Sequence, residues 1–164
     1  MIREIALKDL AAVNEIYNQA VKASFQTADT EPISELDRLQ WFESHPLDNF
    51  PIYVLEIDGK VIGWISLSAY RKGRNALRYN AEVSYYIHQD FQQQGFGSQL
   101  LTFIIKKAKT LNFKTLFAIL LDRNTASIKL LEKFGFEKWG VLPNVADFDG
   151  MECSHLYYGL RIKE

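Results

Sequence analysis

The segment from Glu82 to Lys109 contains the residues whose types and spacing best fit a chemical role. It reads EVSYYIHQDFQQQGFGSQLLTFIIKKAK, in which Gln92-Gln93-Gln94-Gly95-Phe96-Gly97 separates a strand-like run from an apolar-striped helix predicted from about Gly97 to Leu111. A helix N-terminus presents unpaired N–H groups and roughly half a positive charge. Glycines permit a positive φ and let the backbone approach a diphosphate closely. The loop therefore predicts an anion site, although so short a motif could equally serve only to ease the turn.

Other phosphate-binding motifs fit the sequence poorly. The chain has no G-x-x-x-x-G-K-[ST] segment, and Leu100 occupies the third glycine position of G-x-G-x-x-G. Both motifs need those residues to hold nucleoside triphosphates or dinucleotides. The sequence thus disfavours both of these ligand classes.

The histidines and the cysteine give no sign of a metal site or of a nucleophile. His45, His88 and His155 share no ligand spacing on a common helix. Cys153 is the only cysteine and has no paired histidine signal, so we expect an inert, partly buried thiol. These observations predict no metal site and no covalent intermediate on the cysteine.

The elements that would position the loop follow the order β-α-α-β-β-β-α-β-α-β-β. The run IREI predicts a short strand, and apolar residues spaced by 3.6 predict a helix from Asp9. Ser34 and Asp37 resemble a capping box for a second helix that ends before Pro46. Asp58-Gly59 lies between two β-rich runs and predicts a hairpin.

The second half of the chain predicts a crossover. A strand over Asn80–His88 precedes the loop and its helix, and KTLFAILL is apolar on both faces, as in a strand buried between two layers. NTASIKLLEKFGF predicts a short helix closed by Gly135. FEKWGVL and SHLYYGLRI predict two final strands. The pattern predicts a mixed α/β sheet with antiparallel hairpins and one β-α-β unit.

The composition of the chain limits the number of domains and the classes of ligand. The 164 residues suit one domain, 1–164, and 48% hydrophobic residues exceed the content of disordered chains. A net charge of −1 argues against binding nucleic acid or anionic membranes through bulk charge. MIREIALKDL lacks the unbroken apolar run of a secretory signal. We expect a soluble, cytoplasmic protein.

The loop and its surroundings resemble a known family. Gln92-x-x-Gly95-x-Gly97 fits the Q/R-x-x-G-x-G/A pyrophosphate loop of the GNAT N-acetyltransferase superfamily, which binds acetyl-CoA. AEVSYYIHQDFQQQGFGSQLL and LDRNTASIKLLEKFGF resemble the phosphinothricin/methionine-sulfone acetyltransferase branch, as do DGKVIGWISLSAYRKGRNA and SFQT. The resemblance implies the GNAT fold, with splayed central strands flanked by helices, and acetyl-CoA as co-substrate without a metal.

The resemblance also implies residues for the co-substrate. Backbone atoms of Tyr85, Tyr86 and Ile87 would bind the pantetheine arm as an extra strand. Asn124, which on its own predicts a helix N-cap, would contact pantetheine with Ser127 nearby. The diphosphate would lie on Gln92, Gln93, Gln94, Gly95, Phe96 and Gly97.

Glu82 is the implied catalytic base. Most amines are protonated at neutral pH, so acetyl transfer needs a group that accepts the proton, directly or through a water. Relatives often place a tyrosine or histidine where this chain has Leu131, which cannot protonate a departing thiolate. Tyr86, Tyr157 and Tyr158 are alternatives among which the sequence does not choose.

For the acceptor, the resemblance implies Phe25 as a pocket floor and Arg74 as a carboxylate ligand, with Asn80 close by. Leu77 and Asn80 depart from the tyrosine and threonine of relatives. The expected activity is acetylation of a small amine, an amino acid or an analogue of one. A peptide or protein amine, a polyamine, and a non-catalytic acyl-CoA sensor remain alternatives. Members of this branch often form dimers, so a homodimer is possible.

Overall fold

A single seven-stranded sheet runs through the computed structural model, which describes residues 1–164. The strand order is β1-β2-β3-β4-β5-β7-β6, and only β4 and β5 are parallel neighbours. The elements are β1 Ile2–Glu4, α1 Leu10–Ala23, α2 Glu35–Ser44, β2 Ile52–Ile57, β3 Lys60–Ala69, β4 Asn80–Ile87, α3 Phe96–Thr110, β5 Thr115–Leu121, α4 Thr125–Lys133, β6 Glu137–Phe148 and β7 Met151–Arg161. The predicted element order and mixed sheet are confirmed.

Local signals fix several element ends as expected. The Ser34 hydroxyl accepts a hydrogen bond from the Asp37 N–H at 3.1 Å and caps α2. Asp58 and Gly59 have φ of 49° and 76°, which matches the positive φ that a tight hairpin turn needs. Gly135 follows α4 with φ of 86°. These three predictions are confirmed.

The last two strands are longer than predicted. The sequence pattern indicates strands at 136–142 and 154–162, whereas β6 continues to Phe148 and β7 begins at Met151. A second Asp-Gly hairpin turn joins them, with φ of 52° at Asp149 and 88° at Gly150. Asp147 Oδ1 accepts from the Gly150 N–H at 2.6 Å and braces this turn. The extension is largely exposed, and Pro143 and a register shift between Leu142 and Ala146 interrupt it, so it lacks the regular alternation that predicts a strand.

The sheet is covered on both faces. The larger buried cluster joins α3 and α4 to one face through residues such as Leu100, Ile104 and Leu131. The smaller cluster joins α1 to the other face through Val13, Ile16 and Trp64, with α2 packed against it. No helix combines the length and the hydropathy needed to cross a membrane.

The parallel pair β4–β5 opens into a gap. These strands pair only at Asn80↔Thr115, Ala81↔Leu116 and Glu82↔Phe117. Beyond Glu82, β4 continues along β3, while β5 continues along β7. The two strands therefore diverge at the centre of the sheet, as the resemblance predicts.

Candidate active site

The edge of β4 that faces the gap has unused peptide groups. His88 lies opposite Ile62, and its N–H donates to the Ile62 carbonyl at 2.8 Å. Hydrogen-bonded and non-hydrogen-bonded pairs alternate in an antiparallel ladder. Tyr86 and Ser84 therefore pair with β3, whereas Val83, Tyr85 and Ile87 direct their N–H and C=O groups toward β5. Because β5 has diverged beyond Glu82, the N–H and C=O groups of Tyr85 and the N–H of Ile87 have no strand partner there and can bind an extended ligand.

A cavity of about 420 Å³ occupies this gap. It lies between β4, β5, the loop that precedes α3 and the first turns of α4. Its walls include every residue that the sequence analysis assigned to the co-substrate except Gln94: Tyr85, Tyr86, Ile87, Gln92, Gln93, Gly95, Phe96, Gly97, Asn124 and Ser127. The structure thus brings these predicted residues together.

The loop before α3 has a backbone suited to an anion. Gly95 is the N-cap with φ of 85°, and no side chain caps the helix, so the N–H groups of its first turn are free. A Cβ at Gly95 would meet no atom within 4 Å, which leaves the space beside it open. A Cβ at Gly97 would lie 2.8 Å from Leu130 Cδ2, so this glycine lets α3 approach α4.

The side chains of Gln92 and Gln94 brace the loop through hydrogen bonds to nearby carbonyl groups. Gln92 Nε2 donates to the Ile87 carbonyl at 3.3 Å, and Gln94 Nε2 donates to the Asp90 carbonyl at 3.2 Å. Since the loop contains no lysine or arginine, main-chain dipoles supply its positive potential. Arg123, which follows β5, lies over the Phe25 ring, with 4.8 Å between its guanidinium carbon and the ring centre.

The N-terminus of α4 closes the far side of the first cavity. Asn124 Oδ1 accepts from the Ser127 N–H at 3.3 Å, which confirms the predicted N-cap. Leu131 is buried in the cavity wall, one turn after Ser127. The Tyr85 hydroxyl is buried without a hydrogen-bond partner. Burial raises the pKa of this phenol to about 12, while the neighbouring Ser127 side chain acts to lower it. An unpaired buried hydroxyl indicates a place for a polar ligand.

A second cavity of about 610 Å³ lies on the opposite face of the sheet. Alternate residues of two strands form its floor, Trp64, Ser66 and Ser68 from β3 and Glu82, Ser84 and Tyr86 from β4, and α1 and α2 contribute to its walls. The two cavities share lining residues where the central strands part: Gln26, Ser84, Tyr86, Ile119 and Leu120. A ligand in one can therefore reach a ligand in the other.

Glu82 lies in the second cavity at the last β4–β5 pair, where the gap begins. Burial raises the pKa of its carboxyl above the ordinary glutamate range. No hydrogen bond or ion pair holds this carboxylate. A half-buried carboxylate with a raised pKa has the properties of a general base that works near neutral pH.

The three tyrosines considered as proton donors in place of the residue at position 131 lie in different parts of the structure. Tyr158 donates to Glu132 Oε1 at 3.1 Å and is buried under α4. Tyr157 lines only the second cavity, whereas Tyr86 lines both cavities. Burial raises the pKa of Tyr86 to about 12. Of the three, Tyr86 is the phenol at the junction.

The residues implied for the acceptor are not in either cavity wall. Phe25 packs on Phe148 at 4.7 Å between ring centroids. Arg74 lies on an exposed loop, and Asn80 Nδ2 donates to the Leu77 carbonyl at 3.2 Å. These three assignments stay predictions that rest on the resemblance. No group of three or more His, Cys, Asp or Glu side chains is arranged to hold a metal ion.

Three residues that line the cavities were not indicated by the sequence analysis. Gln26, next to Phe25, lines both cavities, while Arg38 and Trp41 of α2 line the second one with Trp64. Arg38 and Trp41 stand three positions apart, so they share one face of α2. An arginine on the tryptophan-bearing face of a capped helix is the signal that could have identified them.

Comparison with known proteins identifies a family and several relatives of this chain. Residues 11–136 match the model of the acetyltransferase (GNAT) family. The YwnH protein of Bacillus subtilis is 41% identical over 144 residues, 87% of each chain. The L-methionine sulfoximine/L-methionine sulfone acetyltransferase of Salmonella typhimurium is 33% identical over 137 residues, 84% of this chain and 80% of its own.

A solved structure shows the same fold around a bound co-substrate. The phosphinothricin acetyltransferase of Sinorhizobium meliloti, in complex with acetyl-CoA, is 27% identical with a TM-score of 0.93. The match covers 100% of this chain and 89% of that one. The fold and superfamily predicted from the sequence are confirmed, and this chain belongs to the GNAT acetyltransferase family.

Proposed function

We propose that this protein moves the acetyl group of acetyl-CoA to the amine of a small molecule by direct attack, without an acyl-enzyme. The acceptor is an amino acid or an analogue of the phosphinothricin or methionine-sulfone type. The observation that carries the proposal is the meeting of two cavities where β4 and β5 part. One cavity has the backbone groups for a thioester arm, and the other has a carboxylate suited to an amine.

The first cavity is the site for acetyl-CoA. The outward N–H and C=O groups of Tyr85 and Ile87 would pair with the amides of pantetheine. The free N–H groups at the start of α3 would bind the diphosphate. Asn124 Nδ2 is unused by the cap and can donate to the arm. A relative crystallised with acetyl-CoA supports this placement.

Glu82 would draw the proton from the acceptor's ammonium group. Its raised pKa keeps the carboxylate basic enough to share that proton near neutral pH. The N–H of Tyr85 or Ile87 would stabilise negative charge that develops on the thioester carbonyl. Holding amine and thioester together supplies much of the rate.

The departing thiolate needs no dedicated acid. A thiol with a pKa near about 8.5 is a fair leaving group. Leu131 offers no proton, and Tyr158 already donates to Glu132. Tyr86, at the junction, is the phenol placed to assist.

The domain organisation, the cellular location and the oligomeric state are also proposals. We infer that residues 1–164 act as one acetyltransferase domain, because one sheet includes all seven strands. Cells make acetyl-CoA internally, which supports a cytoplasmic site of action, as does the buried free thiol of Cys153. We also infer a homodimer, supported by exposed apolar side chains along the edge strand β6: Trp139, Val141, Leu142 and Val145.

The direct test is release of coenzyme A thiol from acetyl-CoA across a panel of amino acids, polyamines and peptides. We expect turnover with amino acids that resemble methionine sulfone. Glu82→Gln should lower turnover about tenfold to a thousandfold at neutral pH, and the deficit should narrow as pH rises and the amine deprotonates without help.

The same panel separates the alternatives. Glu82→Asp is the matched control, because it keeps a carboxylate. Equal activity of wild type and Glu82→Gln from pH 6 to 9 would remove Glu82 from the mechanism. Thermal stabilisation by coenzyme A without turnover on any amine would favour a non-catalytic acyl-CoA sensor. The argument for a sensor is Leu131, which cannot protonate a departing thiolate.

A further inference from the structure

Arg38 is the most deeply buried cation of the chain and lacks a counter-ion. Its side chain lies in the wall of the second cavity and is 5% exposed. Its Nε donates to Asn14 Oδ1 at 3.2 Å, and this is its only hydrogen bond. It forms no ion pair with any carboxylate of the protein.

The contrast with Arg3 shows how unusual this arrangement is. Arg3 is more exposed, at 24%, yet its guanidinium binds both Asp9, at 2.7 Å, and Glu56, at 2.6 Å. A buried guanidinium without an anion is costly, because it has lost its water and gained no counter-charge. Burial lowers the pKa of Arg38 accordingly. Structural packing alone leaves this charge uncompensated.

Three aromatic rings surround the guanidinium. Its central carbon lies 4.7 Å from the ring centre of Tyr17, 4.6 Å from that of Trp41 and 5.7 Å from that of Trp64. Contacts of this kind stabilise a cation but accept no N–H hydrogen bond in the plane of the guanidinium. The N–H donors of arginine lie within that plane. With Nε on Asn14, the two terminal amino groups remain for a planar acceptor in the cavity.

Other groups around this cavity agree with a ligand that accepts hydrogen bonds. Trp64, in the same wall, has its indole N–H buried without a protein acceptor. Of the acidic side chains nearby, Asp29 accepts a hydrogen bond from the Tyr17 hydroxyl and is exposed. Asp37 is also exposed, and Glu82 is the base at the junction. Asp29 favours the charged guanidinium from a distance, but none of these three carboxylates forms an ion pair with Arg38.

We propose that Arg38 binds an oxyanion of the acceptor, either its α-carboxylate or an oxyanion on its side chain, with a planar two-point contact. This proposal rests on the proposed function and refines it. It makes Arg38 a specificity residue that lines the same cavity as Glu82. Arg38 would hold the acceptor at one end while the acceptor's amine meets the thioester at the other. Polyamines, which carry no oxyanion, would then be poor acceptors.

Kinetic comparison of matched acceptors tests the proposal. L-Methionine sulfone and 3-(methylsulfonyl)propylamine differ only in the carboxylate. L-Phosphinothricin and L-methionine sulfone differ in having a charged or a neutral side-chain head. We expect wild type to favour the compound with the additional oxyanion in one of these pairs, measured as a ratio of kcat/KM. Arg38→Met should lower that ratio about ten- to a hundredfold.

The pair that changes identifies the source of the oxyanion. A collapse of the first ratio assigns the α-carboxylate, and a collapse of the second assigns the side-chain group. Arg38→Lys keeps the charge without the planar fork, so we expect an intermediate ratio. Lys106→Met, which removes an exposed cation of α3, is the matched control and should leave both ratios unchanged.

Calorimetric binding of coenzyme A provides the folding control for each variant. Wild-type ratios in both Arg38→Met and Arg38→Lys, with coenzyme A binding intact, would overturn the proposal. So would a loss of selectivity in Arg74→Met instead of the Arg38 variants. If wild type acetylates none of the compounds, the proposed function itself fails, which is a distinguishable result.

Discussion

At the residue scale, the position that suits Glu82 to its proposed role as a base also lowers the stability of the fold. Burial raises the pKa of its carboxyl, so the folded protein holds that proton more tightly than the unfolded chain does. The fold therefore loses stability as pH rises from the ordinary glutamate pKa through the raised one. Above that window, an ionised, half-buried carboxylate without a partner remains. Active sites commonly carry such a cost.

Glu82→Gln should thus be more stable than wild type at neutral and alkaline pH. The advantage should shrink as pH falls through the raised pKa and vanish below the ordinary glutamate value, because wild type is then neutral too. Urea unfolding from pH 4 to 9 measures it. Glu43→Gln, which removes an exposed carboxylate of α2, is the matched control. An equal pH-dependent gain in that control would show that burial of Glu82 is not the cause.

At the element scale, the two edges of β4 differ in function. Residues 84 and 86 pair with β3, whereas 83, 85 and 87 direct their amides to the gap. The alternation follows from strand geometry, and it becomes available to a ligand only because β5 pairs with β4 no further than Glu82.

Amide hydrogen exchange should reveal this alternation. Without ligand, the N–H groups of Ser84 and Tyr86 should exchange slowly, and those of Tyr85 and Ile87 faster, since no backbone acceptor protects them. Saturating coenzyme A should slow Tyr85 and Ile87 selectively. Slow exchange at all four positions before coenzyme A is added would contradict the assignment of these groups to the co-substrate.

The loop before α3 offers a second prediction at this scale. Gly95 and Gly73 have φ of 85° and 79°, and a Cβ at either would meet no atom within 4 Å. Alanine in this left-handed region should cost each variant roughly 1–2 kcal/mol of unfolding free energy. Only Gly95→Ala should also weaken coenzyme A binding, because its methyl group would occupy the space assigned to the diphosphate. Calorimetry on both variants checks this, and equal losses of affinity would remove the loop from the site.

At the scale of the whole molecule, the edge strand β6 carries more exposed large apolar side chains than any other element. Trp139, Val141 and Val145 are each about half exposed, with values of 49%, 50% and 58%. Pro143 lies within this strand and cannot donate to a neighbouring strand. Association would therefore bury side chains and not extend the sheet.

Sedimentation velocity across a hundredfold concentration range should show a dimer for wild type. Val141→Lys combined with Val145→Lys should shift the species to a monomer, because two charges would be buried without partners. Lys138→Met, a change at an exposed site of the same strand, is the control. A wild-type monomer at every concentration would refute the homodimer.

The sequence by itself determined the element order, the cap at Ser34, the turn at Asp58-Gly59 and the loop from Gln92 to Gly97. These features depend on short-range rules: strand and helix periodicity, capping, and residues that accept a positive φ. Their signals lie within a few positions of one another in the chain.

Only the tertiary structure decided where β4 and β5 part, which peptide groups face the gap and how two cavities meet there. It also placed Arg38 of α2 against Trp64 of β3, and it left Arg74 on an exposed loop. Such facts depend on which distant segments pack together, and packing of this kind leaves no periodic trace in either segment. The lining of the second cavity was therefore the part of the molecule that the sequence did not indicate.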